Sequence, residues 1–413
     1  MSWTSFELTV VTPLFSGDDP DSGRVDSPVR VPSIRGVLRF WLRALAAGHQ
    51  ILDRQGLWQQ EQAVFGSTER PSPIALRISG QPRAVRTAKP DWVLYPRPAP
   101  GEKDGFHGAQ YLLGQGLWSY RDGITRPFVE PQRTVTLGVR FTDDESVNNL
   151  FMLALWAWLT YGGLGARTRR GFGQLRCTDV TGTLPTGWDA ADLVSPNRRG
   201  AWVELGAKVL PETLVRRKPK GWRSLLTADP ADGEPLPEVP ALCPKWWAGE
   251  TFADAGSLGE ALHLAGRELR LFRAADSTGR SPSQRTRSPE WVNVVHGTDK
   301  HYPVAALGLP VGYSSRDRAG NQIKATVDVH ADKPLRRASP VWIRPVALGS
   351  GQWTVFTHVF WAALLPLNAT ITLSGPGHGQ SKCLHAPNRQ ALDTAWDAWL
   401  ALHRGQASYH HRI

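Results

Sequence analysis

The sequence predicts an α+β fold, and three observations carry the prediction. "FELTVVTPL" (6–14) alternates and is rich in β-branched residues, as a half-buried strand requires. "SIRGVLRFWLRALAA" (33–47) and "SVNNLFMLALWAWLTY" (146–161) carry apolar residues at helical spacing. Each of these helices is followed by another strand-like segment, "PIALRISG" (73–80) and "GQLRCTDVTG" (173–182).

The elements then fall in order. "FSGDDPDSGRVDSPVR" (15–30) is a loop by its Gly, Pro, Asp and Ser content. The first helix is expected to begin at Ser33, an N-cap type placed just after Pro32. Residues 81–132 are rich in Pro and Gly and hold a short segment near "AQYLLG"; they read as an insertion of loops or a hairpin. "TVTLGVRFT" (134–142) is a third strand, and "GGLGARTRRGFG" (162–173) is the loop between the second helix and the fourth strand. The order β-α-β-insert-β-α-β is that of the ferredoxin-like, or split βαβ, unit. It is also the RRM-like order, although the aromatic RNP1 signature is absent.

This unit is expected over residues 1–190, with a linker near 185–200. Beyond it, "SLGEALHLAGRELRLFRAA" (257–275) is an amphipathic helix. Strands are expected at 322–330, 340–348, 352–362 and 369–375, and a closing helix at 388–405. These elements make residues 201–413 a second α+β domain. A chain of 413 residues exceeds one compact core, so two domains of about 150–200 residues are the default.

The formal charge of +11 points to a polyanionic partner, most often nucleic acid. Cys177, Cys243 and Cys383 are far apart and form no CxxC pair, which argues against a disulfide framework or a cysteine zinc site. A reducing cytoplasm is the simplest setting. No apolar run approaches about 18 residues, so no membrane span is expected. "MSWTSFELTVV" lacks a basic n-region and reads as a first strand.

Two features stand out. Arg35, Arg39 and Arg43 recur every four residues on the first helix, where like charges cost roughly 0.2–0.5 kcal/mol per pair. No Asp or Glu lies between Ser33 and Ala47 to neutralise them. They form either a solvated edge or, with Ser33 and the free amides of the helix start, a seat for phosphate. Arg43, two turns in, is expected to face solvent or an acidic neighbour. The loop 162–173 holds five glycines and three arginines. Glycine permits close backbone approach and arginine pairs bidentately with phosphate. It is neither a Walker loop nor a dinucleotide fingerprint, because it follows a helix and lacks GK[ST]. No cofactor is implied.

Together "TPLFSGDD", "IRGVLRFWLRAL", "VFGSTERPSPIALRI" and "GGLGARTRRGFG" closely resemble the RAMP superfamily of CRISPR-associated proteins, and within it the first-numbered Cmr subunit family of the type III-B effector. "AALGLPVGY" (305–313), "DKPLRRASPVWIRP" (332–345) and "WTVFTHVF" (353–360) resemble that family's C-terminal half. "SGDD" departs from the family, where a second glycine is usual. The resemblance implies two ferredoxin-like RAMP domains and a non-catalytic RNA-binding subunit that helps hold the crRNA 3′ region and capture target RNA. Its implied partners are crRNA, target RNA and other Cmr RAMP subunits, with no membrane. Its RNA-binding positions carry over as Ser33, Arg35 and Arg39 on the first helix. In the loop they are Gly162, Gly163, Gly165, Arg167, Thr168, Arg169, Arg170 and Gly171, and near the later strand Lys333, Arg336 and Arg337.

Some relatives in that superfamily cut RNA, so catalysis must be weighed. Asp18, Asp19, Asp21 and Asp26 share one loop and could hold Mg²⁺, or could simply bond their own turns. His296 and His301 flank "GTDK" as a conceivable acid–base pair, while His107 and His358 stand alone. The bland reading is favoured for each. An endoribonuclease and a protein-interaction scaffold remain the alternatives.

Overall fold

The computed structural model describes residues 2–16, 28–48, 54–97, 105–194, 237–242, 247–274, 308–316, 322–330, 334–349, 351–360, 362, 370–375 and 379–383. Asp18, Asp19, Asp21, Asp26, His296, His301, Lys333 and the expected helix 388–405 lie outside these residues.

The first sheet is built from β1 (Thr4–Val10), β2 (Ala75–Ser79), β7 (Thr134–Arg140) and β8 (Leu175–Thr181). Its order is β2-β7-β1-β8, and every pairing is antiparallel. Helix α1 (Val31–Gly48) lies in the β1–β2 connection and α4 (Glu145–Tyr161) in the β7–β8 connection. Alternation sets one face inward. Phe6, Leu8 and Val10 of β1 and Val135, Leu137 and Val139 of β7 bury against Ile34, Leu38 and Leu42 of α1 and the apolar flank of α4. The Asp144 carboxylate caps α4, accepting from the Ser146 and Val147 amides at 2.9 and 3.2 Å.

Two local expectations change. Helix α1 starts at Val31, so Ser33 sits inside its first turn and is not the N-cap; the Ile34 amide already bonds the Arg30 carbonyl at 3.1 Å. Pro32 is tolerated because first-turn amides have no helical partner. A further helix, α2 (Arg54–Phe65), packs on α1 and α4. Its mixed polar sequence hid it.

The described residues of the insertion form short elements. Strands β3 (Ala84–Val85) and β6 (Phe128–Val129) form a short ribbon. Between them lie a 3₁₀ turn (Asp91–Val93), helix α3 (Gly108–Leu113) and the hairpin β4 (Trp118–Ser119)–β5 (Gly123–Ile124).

The later strands fall into two sheets. Strands β9 (Trp247–Ala255), β12 (Val341–Gly349) and β13 (Gln352–Phe360) make one, in the order β12-β13-β9. Strands β10 (Val311–Arg316), β11 (Gln322–His330), β14 (Thr370–Gly375) and β15 (Gly379–Cys383) make the other, in sequence order. Helix α6 (Leu258–Ala274) covers one face of the three-stranded sheet through Ala261, Leu262 and Ala265, which pack with Val341, Ile343, Val355 and Val359. Helix α3 crosses α6 at Gly108 and Gly266. A Cβ on Gly266 would fall 2.0 Å from the Gly108 carbonyl oxygen, so this crossing excludes larger residues.

The opposite face of the three-stranded sheet meets the α1–α4 layer. Trp342, Phe356, His358 and Phe360 alternate with the α6-facing residues and pack on Phe40, Trp41 and Tyr161. Arg344 points into the same seam. Its guanidinium donates to the Leu159 carbonyl at 2.7 Å and to the Gly162 carbonyl, at the C-terminal end of α4. Burial pushes its pKa down to about 9. His358 accepts from the Trp247 indole N–H on Nδ1 at 3.0 Å and donates from Nε2 to the Tyr161 carbonyl at 3.2 Å.

Burial holds the His358 pKa down to about 3, below the ordinary histidine value of about 6.5. A depressed folded pKa contributes stability that is full above the unfolded value and lost as pH falls toward the folded one. His263, depressed to about 4 by burial and by Arg267, adds to the same loss. Urea midpoints should therefore fall between pH 6.5 and about 3, and His358→Gln should flatten that fall; an unchanged pH profile in the variant would contradict the assignment.

Candidate nucleic-acid interface

The loop 162–173 is pinned by backbone bonds. Leu164 N–H donates to the Gly173 carbonyl and Ala166 N–H to the Phe15 carbonyl, both at 2.7 Å. Its glycines crowd the protein itself. A Cβ on Gly162 would meet the Trp41 indole, on Gly163 the Gly173 carbonyl, and on Gly171 the Pro345 ring. Gly165, at φ +86°, would place one 2.3 Å from the Phe15 carbonyl oxygen. These glycines let the loop lie flat on β1's exit and on β12.

The loop arginines divide by what they touch. Arg169 donates to the Ser339 carbonyl and lies over the Trp342 ring at 4.9 Å. Its carbonyl accepts from the Ile343 amide at 3.1 Å. Burial, and then the charge of Arg337, lower its pKa to about 10. Arg167, at φ +61°, donates to the Gln115 carbonyl at 3.0 Å and ties the loop to the insertion.

Arg167, Thr168, Arg169 and Arg170 form one side of an open groove of about 830 Å³. Gly308–Gly312 and Arg337–Ser339 form another, and Gln110–Gln115 with Trp118 and Tyr120 the third. Three segments singled out separately in the sequence thus converge. Among the described residues lining the groove, four are arginine and none is Asp or Glu. Arg337 is anchored through its backbone, which exchanges hydrogen bonds with Leu309 at 2.8 and 2.9 Å. Its Nε is buried without a hydrogen-bond partner among the described residues, and burial lowers its pKa. Arg336 is exposed and does not line the groove.

Helix α1 does not wall this groove: Ser33, Arg35 and Arg39 are absent from its lining. The arginine stripe has an internal partner. Glu61 of α2 bonds Arg39 at 2.6 Å through one oxygen and Arg43 through the other. Arg39 also donates to the Phe65 and Gly66 carbonyls at 3.0 and 2.9 Å, at the end of α2. The acidic neighbour expected for Arg43 is thus present, and it serves Arg39 as well. Arg35 is half-buried, with an Nε lacking a partner among the described residues.

The lone histidines are packed. His107 is buried ahead of α3, with Nδ1 3.0 Å from the Tyr95 carbonyl oxygen, and His358 sits in the seam. Cys177 is buried in β8. No helix among the described residues is long and apolar enough to cross a membrane. Sequence reasoning missed the third wall of the groove; the signal was Tyr111, Trp118 and Tyr120 within a Pro- and Gly-rich insertion.

Residues 7–176 match the family model described as the RAMP superfamily. The CRISPR system Cmr subunit Cmr1-1 of Pyrococcus furiosus is 31% identical over 148 residues, which span 36% of this chain and 40% of that protein. The match therefore covers less than half the length of that relative. Cmr1-2 of the same organism is 29% identical over 182 residues, 41% of this chain and 92% of that protein. The crystal structure of apo Cmr1 from P. furiosus superposes with a TM-score of 0.50 at 20% identity, covering 89% of this chain and 90% of that one. That likeness speaks to the fold.

Glu61→Gln should leave Arg39 and Arg43 repelling each other beside a neutral amide. It should cost about 1–3 kcal/mol in urea unfolding, as expected for a lost charge-assisted bond at a nearly buried site. A loss below a few tenths would mean that the stripe needs no partner.

Proposed function

Starting from the RAMP superfamily domain carried by residues 7–176, we propose that this chain is a Cmr1-type, non-catalytic RNA-binding subunit of a type III-B CRISPR effector complex. In this role it helps hold the crRNA 3′ region and capture target RNA, in the cytoplasm, with other RAMP subunits as neighbours. Supporting the fold assignment, the strand order β2-β7-β1-β8 is that of a ferredoxin-like unit over residues 1–190. Within 201–413, the strand–helix–strand–strand series β9-α6-β12-β13 repeats its first three strands, in the corresponding order.

One observation carries the RNA assignment: among the described residues lining the groove, four are arginine and none is Asp or Glu. Guanidinium groups brought together repel each other, and burial together with the charge of Arg337 depresses the Arg169 pKa. A phosphate backbone reverses the sign of this cost. Arg169 and Arg167 hold the walls, while Arg170, Arg337 and the Thr168 hydroxyl are assigned to phosphate. Phosphate contacts carry no sequence information, which suits a subunit that must accept many guides.

Salt-titrated binding of an unstructured RNA by the full chain tests this. Arg170→Ala with Arg337→Ala should weaken binding and reduce the log–log salt slope by about 1.4, at about 0.7 per lost single-strand phosphate contact. An unchanged slope would refute the groove assignment. Discrete cleavage of repeat RNA by the purified chain, lost on Asp18→Ala with Asp19→Ala, would favour the endoribonuclease alternative instead.

A further inference from the structure

We propose that the insertion hairpin carries a base-stacking platform, Tyr120 backed by Trp118, that makes the groove selective for unpaired over duplex nucleic acid. The inference rests on the groove assignment above and concerns its third wall.

Tyr120 is 88% exposed. Among the described residues it and Trp58 are the large hydrophobic side chains left open to solvent, and only Tyr120 lines the arginine groove. Its position is built. The Ser119 hydroxyl accepts from the Arg121 and Asp122 amides, each at 3.3 Å, and donates to the Asp122 carboxylate at 2.8 Å, which fixes the turn. At the far side of the turn the Ile124 amide bonds the Ala88 carbonyl at 2.8 Å, and a Cβ on Gly123 would fall 2.2 Å from that oxygen. At the base of the hairpin, the Leu117 and Trp118 amides both reach the Gly114 carbonyl, at 3.2 and 3.1 Å. The bond from Arg167 to the Gln115 carbonyl then joins this base to the arginine loop. The braced backbone fixes where the exposed phenol ring projects, and the ring is free to meet a ligand.

Trp118, two residues before Tyr120 and also lining the groove, is half-buried, with an indole N–H that finds no partner among the described residues. Tyr111 completes the aromatic side. An aromatic face opposite a basic face is what a single strand offers to fill: bases on one side, phosphates on the other. In a duplex the base faces are occupied by their own neighbours, so only the arginines could engage it. Stacking is tolerant of sequence because every base has a π-face, so the platform adds affinity without favouring one guide. Arg167 acts here as a positioning residue, because it sets the distance between the two faces.

The test uses the full chain, a 12-nucleotide unpaired RNA containing 2-aminopurine, and the duplex of the same sequence. Wild type should bind the single strand more tightly and quench its fluorescence. Tyr120→Ala should lose about 5- to 150-fold in single-strand affinity, the range of one stacking contact, and lose the quenching. Tyr120→Phe should restore both, since the ring and not the hydroxyl is required. Duplex affinity and the salt slope should stay at wild-type values in Tyr120→Ala. If Tyr120→Ala binds and quenches as wild type while the Arg170/Arg337 variant is weakened, the platform is wrong and the groove stands. If the arginine variant is also unaffected, the groove assignment itself has failed.

Discussion

The groove depends on one buried contact, the Arg344 guanidinium on the carbonyl end of α4. A helix ends with carbonyls that have no partner in the helix and a partial negative charge. Here that end is sealed inside the protein, so water cannot satisfy it. Arg344 supplies N–H donors to Leu159 and Gly162, and His358 supplies one to Tyr161. Among the described residues no carboxylate bonds this charge, and the aligned carbonyl dipoles offset part of its desolvation. The contact also joins β12 to the start of the glycine loop. One residue away on the same strand, the Ile343 amide takes the Arg169 carbonyl. Strand and loop are therefore held in register, and Arg337 and Ser339 are brought opposite Arg167 and Thr168.

That registration explains how guanidinium groups can be gathered along one groove. Left to relax, neighbouring guanidinium groups would swing apart into water. Arg169 is held by Ser339 and by the Trp342 face, Arg167 by Gln115, and the Arg337 backbone by Leu309. The cost of repulsion is borne by the packed seam. Charge repulsion adds to the left-handed backbone of Arg167 as a cost of the site. In the proposed function, a bound polyanion removes repulsion as well as adding attraction, and salt weakens both effects.

Much of the fold was legible in the sequence, because strands of period 2 and helices of period 3.6 announce themselves. The first sheet's elements, α6 and the strands β11 to β14 were all expected near their observed places. Helix α2 was not, since "RQGLWQQEQAVF" has too few apolar residues to show a stripe. That omission mattered: Glu61 lies 18 residues beyond Arg43, outside any window drawn on α1 alone, and it clamps Arg39 and Arg43 to α2. The glycine loop was legible as special, but its reason was not. Glycine serves close approach to a ligand or to the protein equally well, and only tertiary neighbours such as Phe15 and Pro345 distinguish them. The groove's three walls come from residues 110–120, from 167–170, and from 308–312 with 337–339, so their convergence is a property of the packed sheets and of no single stretch.

Hydrogen exchange on the full chain, with and without a saturating unpaired RNA, tests the central claim that RNA lies in this groove. Protection should rise together in residues 110–120, 167–170, 308–312 and 337–339, and should stay unchanged along 33–43 of α1. Protection centred on 33–43 with no change in the groove segments would contradict it.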